Sequence, residues 1–131
     1  MRFKTTAALC AMLMATAPSP SFAAVPVRLT GNTAADSTLQ RDIVQTITYY
    51  GAAFDCAAPN EIRASILNSA MIPSDADYRA PSLRASYEEW DATFCGKTHR
   101  FLVSYWPDPQ GGSFLKVTYP YPEGAPSAIL R

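Results

Sequence analysis

The chain has 131 residues and a mass of 14.2 kDa, with 11 Lys+Arg against 11 Asp+Glu. That length fits one ordinary domain. A net charge of zero gives no electrostatic footprint for nucleic acid, which calls for a basic face, and 48% hydrophobic residues are too many for a disordered chain.

Residues 1–23 read as a secretory signal peptide. Arg2 and Lys4 make the positive start, Thr5 to Ala17 the apolar stretch, and Ser21-Phe22-Ala23 the small-residue cleavage site. The apolar stretch is shorter than the roughly 20 residues a spanning helix needs, and Pro18 and Pro20 end it. Cleavage after Ala23 removes Cys10, takes the formal charge to −2 and leaves Cys56 and Cys95. Two cysteines in an exported chain have one internal pairing, and exported compartments preserve it. A Cys56–Cys95 bridge closes a loop of about 40 residues, contributing about 4 kcal/mol in the loop-entropy picture.

Residues 24–36 form an extended N-terminal arm. Val25, Val27 and Leu29 alternate, and Pro26 limits the segment to an edge strand or an arm. Residues 37–51 read as a helix. Ser37 and Gln40 have capping-box spacing, and Leu39, Ile43, Val44, Ile47 and Tyr50 fall on one helical face. Gly51 is the expected stop. In residues 61–68, Ile62, Ala64 and Ile66 alternate as in a strand, whereas Ile62, Ile66 and Leu67 suit a helical turn. The short length and the flanking prolines favour the strand. Residues 69–82, with Pro73, Asp75, Asp77 and Pro81, read as a loop.

A hairpin turning at Gly96-Lys97 pairs Phe94 with His99, Ala92 with Phe101, Trp90 with Val103 and Glu88 with Tyr105. One face then collects Trp90, Ala92, Phe94, Phe101, Val103 and Tyr105, and the other Glu89, Asp91, Thr93, Arg100, Leu102 and Ser104. A last strand at 113–119 extends the apolar face if Tyr105 meets Ser113 and Val103 meets Leu115. The Pro-rich tail 120–131 leaves the domain as an extended or disordered arm. The expected fold is α+β over residues 37–119: one N-terminal amphipathic helix on a mostly antiparallel sheet of three to four strands, stapled by one disulfide. Cystatin-like folds are similar in that layered outline, a likeness that implies no activity.

The only histidine, His99, lies in this register on the core face beside Phe94, with no nucleophile in a known motif nearby. Glu88, Glu89 and Asp91 cluster, but Glu89 and Asp91 share a solvated face rather than straddling a cleft. Asp75-Ala76-Asp77 opens like a calcium loop and lacks its later ligands. One histidine and no CxxC leave no usual zinc set, so no metal or cofactor is expected. Aromatic residues stand out instead. Tyr87 and Trp106 are expected as cross-strand neighbours on the outer face, with Tyr119 and Tyr121 closing the last strand as a binding surface.

The segment Tyr87-Glu88-Glu89-Trp90, Cys95-Gly96, Phe101-Leu102-Val103 and Gly111-Gly112 resembles a pattern in small exported bacterial proteins of uncharacterised function. There a Trp precedes a Cys-Gly turn and a Gly-rich connection leads to a last strand. The resemblance covers about a quarter to a third of the chain and implies an envelope-located domain without transferring any catalytic residue. The expected function is that of a periplasmic or secreted, non-enzymatic protein-interaction domain, without a membrane span, that acts on another envelope or secreted protein. A small periplasmic hydrolase or a cell-wall glycan-binding module is the alternative.

Overall fold

The computed structural model describes residues 26–73, 76 and 84–123. The expected leader, Val25, Asp75, Asp77, Pro81 and the tail beyond Glu123 lie outside the described residues. The elements are β1 (Arg28–Gly31), α1 (Ser37–Tyr49) with a 3-10 turn over Tyr50–Phe54, β2 (Glu61–Ile66), β3 (Ser86–Phe94), β4 (Lys97–Pro107) and β5 (Ser113–Thr118). They form one five-stranded sheet in the order β1-β2-β3-β4-β5, with α1 packed on its inner face.

The sheet is therefore larger than the sequence pattern suggests, and it is mixed. β1 runs parallel to β2, with Leu29 opposite Ile62, while β2 to β5 form an antiparallel meander. The parallel pair follows from the α1 crossover, because a helix between two neighbouring strands returns the chain to the same end. Part of the expected arm is thus the edge strand that Pro26 still allows. Val27 and Leu29 pack, half-buried, on the main core.

Helix α1 starts one residue earlier than the capping box suggests. Asp36 is the N-cap and its carboxylate accepts from the Leu39 N–H at 2.8 Å. Gln40 turns its amide to the Ala35 carbonyl at 2.7 Å. Leu39, Ile43 and Ile47 are the buried stripe. Gly51 does not stop the chain. It is buried within the 3-10 turn, where a Cβ would sit 2.2 Å from the Cys56 carbonyl oxygen. The left-handed residue that ends the turn is Asp55, at φ 53°.

The hairpin register differs from the expected one by two residues. Cys95 and Gly96 are the central pair, at φ 47° and 81°, so Phe94 meets Lys97, Ala92 meets His99 and Trp90 meets Phe101. Two positive φ angles make a type I′ turn, whose twist matches the strands. β5 is displaced likewise: Tyr105 meets Leu115 and Trp106 meets Phe114. An even shift leaves every side chain on its expected face. The inner face carries fully buried Trp90, Phe101 and Val103. The Cys56–Cys95 disulfide ties the end of the 3-10 turn to the hairpin tip, with Cα atoms 6.0 Å apart. No described helix is long and apolar enough to cross a membrane.

Candidate functional site

On the inner face near the hairpin tip, His99 belongs to an aromatic cluster. Its ring stacks on Phe54 at 3.7 Å between centroids, and Phe94 stands edge-on at 5.9 Å. Its Nδ1 is 3.1 Å from the Tyr119 hydroxyl. Burial first, and the Lys97 charge second, lower its pKa from the usual 6.5. Tyr119, expected on an open surface, instead packs against Tyr50, Phe54 and Phe101. Alternation explains this: Tyr119 follows Leu115 and Val117 on the helix side.

The acid that matters structurally is Glu88, which is fully buried. One carboxylate oxygen accepts from the Ala34 N–H and the Tyr105 hydroxyl, both at 2.8 Å. The other accepts from the Thr33 hydroxyl at 2.8 Å and the Trp90 indole N–H at 2.7 Å. A buried carboxylate survives when its lone pairs are filled, and here four donors fill them. The cage fastens the β1–α1 connection to β3 and β4. Burial, then the Glu88 hydrogen bond, raise the pKa of the Tyr105 phenol well above its usual value.

The outer face has two halves. At the hairpin end, Arg100 lies 3.1 Å from Asp91 and 3.4 Å from Glu89, with its guanidinium 5.7 Å from the centre of the Tyr121 ring. Tyr121 hydrogen-bonds Glu89, and burial followed by that carboxylate's charge pushes its phenol up to about 12. Glu89 and Asp91 thus share one cation. Beside them Tyr87, Leu102, Leu67 and Ala76 form a second buried cluster, against which Ile72 and Tyr121 pack. Tyr87 is 6% exposed and faces Ser104, not Trp106, so it offers no open ring. Pro122 lines, together with Tyr87, Leu102 and Ser104, a hollow of about 80 Å³. The start of the tail therefore folds back onto the sheet instead of leaving it.

At the other end of the outer face, Trp106 pairs with Phe114 across β4 and β5. Their ring centroids are 5.8 Å apart with planes 30° from parallel, and Phe114 is 46% exposed. The hairpin loop begins beside them at Asp108, whose carboxylate accepts from the Gln110 N–H at 2.9 Å. Of the four expected aromatics, Tyr87 is buried and Trp106, Tyr119 and Tyr121 are half-buried; Trp106 lies on the outer face with exposed Phe114 beside it. Phe114 was hidden by the register: the expected pairing puts Gly112 opposite Trp106. The signal for Glu88 was present, since its core-face position lies between Trp90 and Tyr105, two rings with polar ends.

Among the described residues no group of three or more His, Cys, Asp or Glu is placed to hold a metal ion. In comparison with known proteins, no family model, curated protein or solved structure matches the chain.

Proposed function

We propose that the chain is an exported, disulfide-stapled, non-enzymatic domain that contacts another envelope or secreted protein through the Trp106–Phe114 corner of its sheet. Its role is that of an inhibitor, an immunity-type factor or an accessory of an envelope assembly. Residues 1–23 direct export and are removed after Ala23, and the mature domain works in the periplasm or outside the cell. The disulfide fits such a compartment, and so does the partial likeness to small exported bacterial proteins.

The observation that carries the contact reading is the exposure of Phe114 beside Trp106 on rigid, paired strands. Aromatic rings on a fixed scaffold bury large area at little entropic cost, the usual composition of binding hot spots. The hydrolase alternative needs His99 or Glu89 turned toward substrate. His99 is stacked under Phe54 and tied to Tyr119, and Glu89 is engaged by Arg100 and Tyr121. The test is capture of partners from envelope extract on the immobilised oxidised protein. A stoichiometric protein partner lost with Trp106→Ala or Phe114→Ala supports the reading. Capture unchanged in both variants, or a turnover abolished by His99→Ala, overturns it.

The 30° tilt of the two rings beside Asp108 and Gln110 favours one second reading, stacking of a cell-wall sugar. Soluble glycan fragments that change the Trp106 fluorescence, with no protein captured, would select it.

A further inference from the structure

We propose that β5 is a self-pairing edge, so that two copies of the protein join their sheets antiparallel across β5 with the two-fold axis at Leu115. The two ends of the sheet are unequal. β1 is four residues long, starts after Pro26 and ends at Gly31, where a Cβ would collide with the Ala64 carbonyl. β5 is six residues long and carries Phe114, one of the most exposed large apolar side chains described. Among the described residues nothing pairs with its outer side. An edge strand presents a row of unpaired N–H and C=O groups to a further strand.

The backbone determines which atoms are offered. The β4–β5 hairpin closes with the Asp108 N–H donating to the Gly112 carbonyl at 3.1 Å. Bonded pairs recur at every second residue of an antiparallel ladder. Trp106/Phe114, Ser104/Lys116 and Leu102/Thr118 are therefore the bonded pairs within the sheet. The N–H and C=O groups of Ser113, Leu115 and Val117 point outward. The same alternation counted from the Cys95-Gly96 turn assigns the even residues of β4 to β5, which agrees.

Two antiparallel registers keep like faces together and overlap most of the strand. Centring on Lys116 sets two ammonium groups side by side at a non-bonded pair, where side chains are closest and like charges repel. Centring on Leu115 bonds Leu115 to its copy and Ser113 to Val117. It lays Phe114 of each copy beside Lys116 of the other, an aromatic face against a cation. The two-fold operation repeats that contact, as an isologous interface requires. A formal net charge of −2 after removal of the leader puts little long-range repulsion between copies.

This inference uses the same corner of the sheet as the proposed contact surface, and the two fail separately, because this one is tested with the protein alone. Sedimentation equilibrium of the oxidised protein from micromolar to millimolar concentration should show a reversible monomer–dimer equilibrium. Amide exchange at Leu115 and Val117 should slow as concentration rises, while exchange at Phe114, bonded to β4, should not change. Phe114→Cys mixed with Lys116→Cys should form a covalent heterodimer on mild oxidation, because a non-bonded pair at about 4.5 Å lies within disulfide reach. Lys116→Cys alone should not self-link. A monomer throughout the range, exchange independent of concentration, or self-linking of Lys116→Cys in preference to the mixed pair overturns the proposal.

Discussion

Glu88→Gln probes the buried cage directly, because it preserves shape and removes one acceptor. Whichever way the amide turns, its NH2 group replaces a carboxylate oxygen that holds one hydroxyl and one N–H. Toward the first oxygen position it meets the Tyr105 hydroxyl and the Ala34 N–H; toward the second, the Thr33 hydroxyl and the Trp90 indole N–H. A hydroxyl can rotate and accept, and half-exposed Thr33 can turn its hydrogen to water. An N–H cannot. One donor is therefore left facing another donor, which costs about 2–3 kcal/mol with the charge assistance also lost. The loss should appear as a lower urea midpoint, followed by circular dichroism, with an unchanged slope. Trp90→Phe supplies the control. Without the indole N–H, the amide can point at Thr33 and keep Ala34 and Tyr105 satisfied. The further cost of Glu88→Gln in that background should fall below about 1 kcal/mol, a coupling that only a double-mutant cycle reveals. A Glu88→Gln protein within about 0.5 kcal/mol of the parent, or equal costs in both backgrounds, would refute the cage.

Replacing Cys56 and Cys95 together by Ala should lower stability by about 4 kcal/mol, measured by urea unfolding, since the bridge spans a sequence separation of 39. A loss under about 1 kcal/mol would refute the bridge as a staple. Gly51→Ala should destabilise by more than about 2 kcal/mol in thermal melts, because its Cβ would lie 2.2 Å from the Cys56 carbonyl oxygen and backbone must move. His99 contributes a pH dependence. Its folded pKa is lowered below 6.5, so the unfolded chain takes up the proton first. Stability from this group is complete above pH 6.5 and is lost as pH falls through the lowered value. Melting curves between neutral and mildly acidic pH should show that decline in the parent and not in His99→Phe, which retains a ring against Phe54.

The face of each strand residue was legible in the sequence, and the partner opposite it was not. Alternation depends on parity, so Trp90, Phe101, Val103, Leu115 and Val117 reach the helix side under either register. Pairing depends on which two residues occupy the turn. Gly96 suits the first place of one hairpin turn and the second place of another, and only the backbone of Cys95, at φ 47°, separates them. That β1, expected as an edge strand or an arm, pairs parallel with β2 was not legible for a different reason. Its four residues gain their place from α1 returning the chain to β2, a long-range event with no local signature. Tyr87 lies on the predicted face but is buried with Leu67, Ala76 and Leu102, and half-buried Tyr121 packs against that cluster from the start of the tail.

That coverage explains why one corner of the outer face stands apart. Over Tyr87 and Leu102, the residues after β2 and the start of the tail supply a second apolar layer, and Arg100 with Tyr121 closes its polar side. Among the described residues the layer does not include Trp106 and Phe114, which lie farther along β4 and β5 toward the hairpin loop. A chain able to bury Tyr87 on this face leaves Phe114 46% open two strands away, at a place where β4 and β5 hold both rings in register. The contrast lies within one face of one sheet, so a general surplus of apolar residues does not account for it. An open ring beside a strand edge with outward backbone donors combines the two elements of strand-mediated recognition: main-chain bonds for affinity and side chains for selectivity.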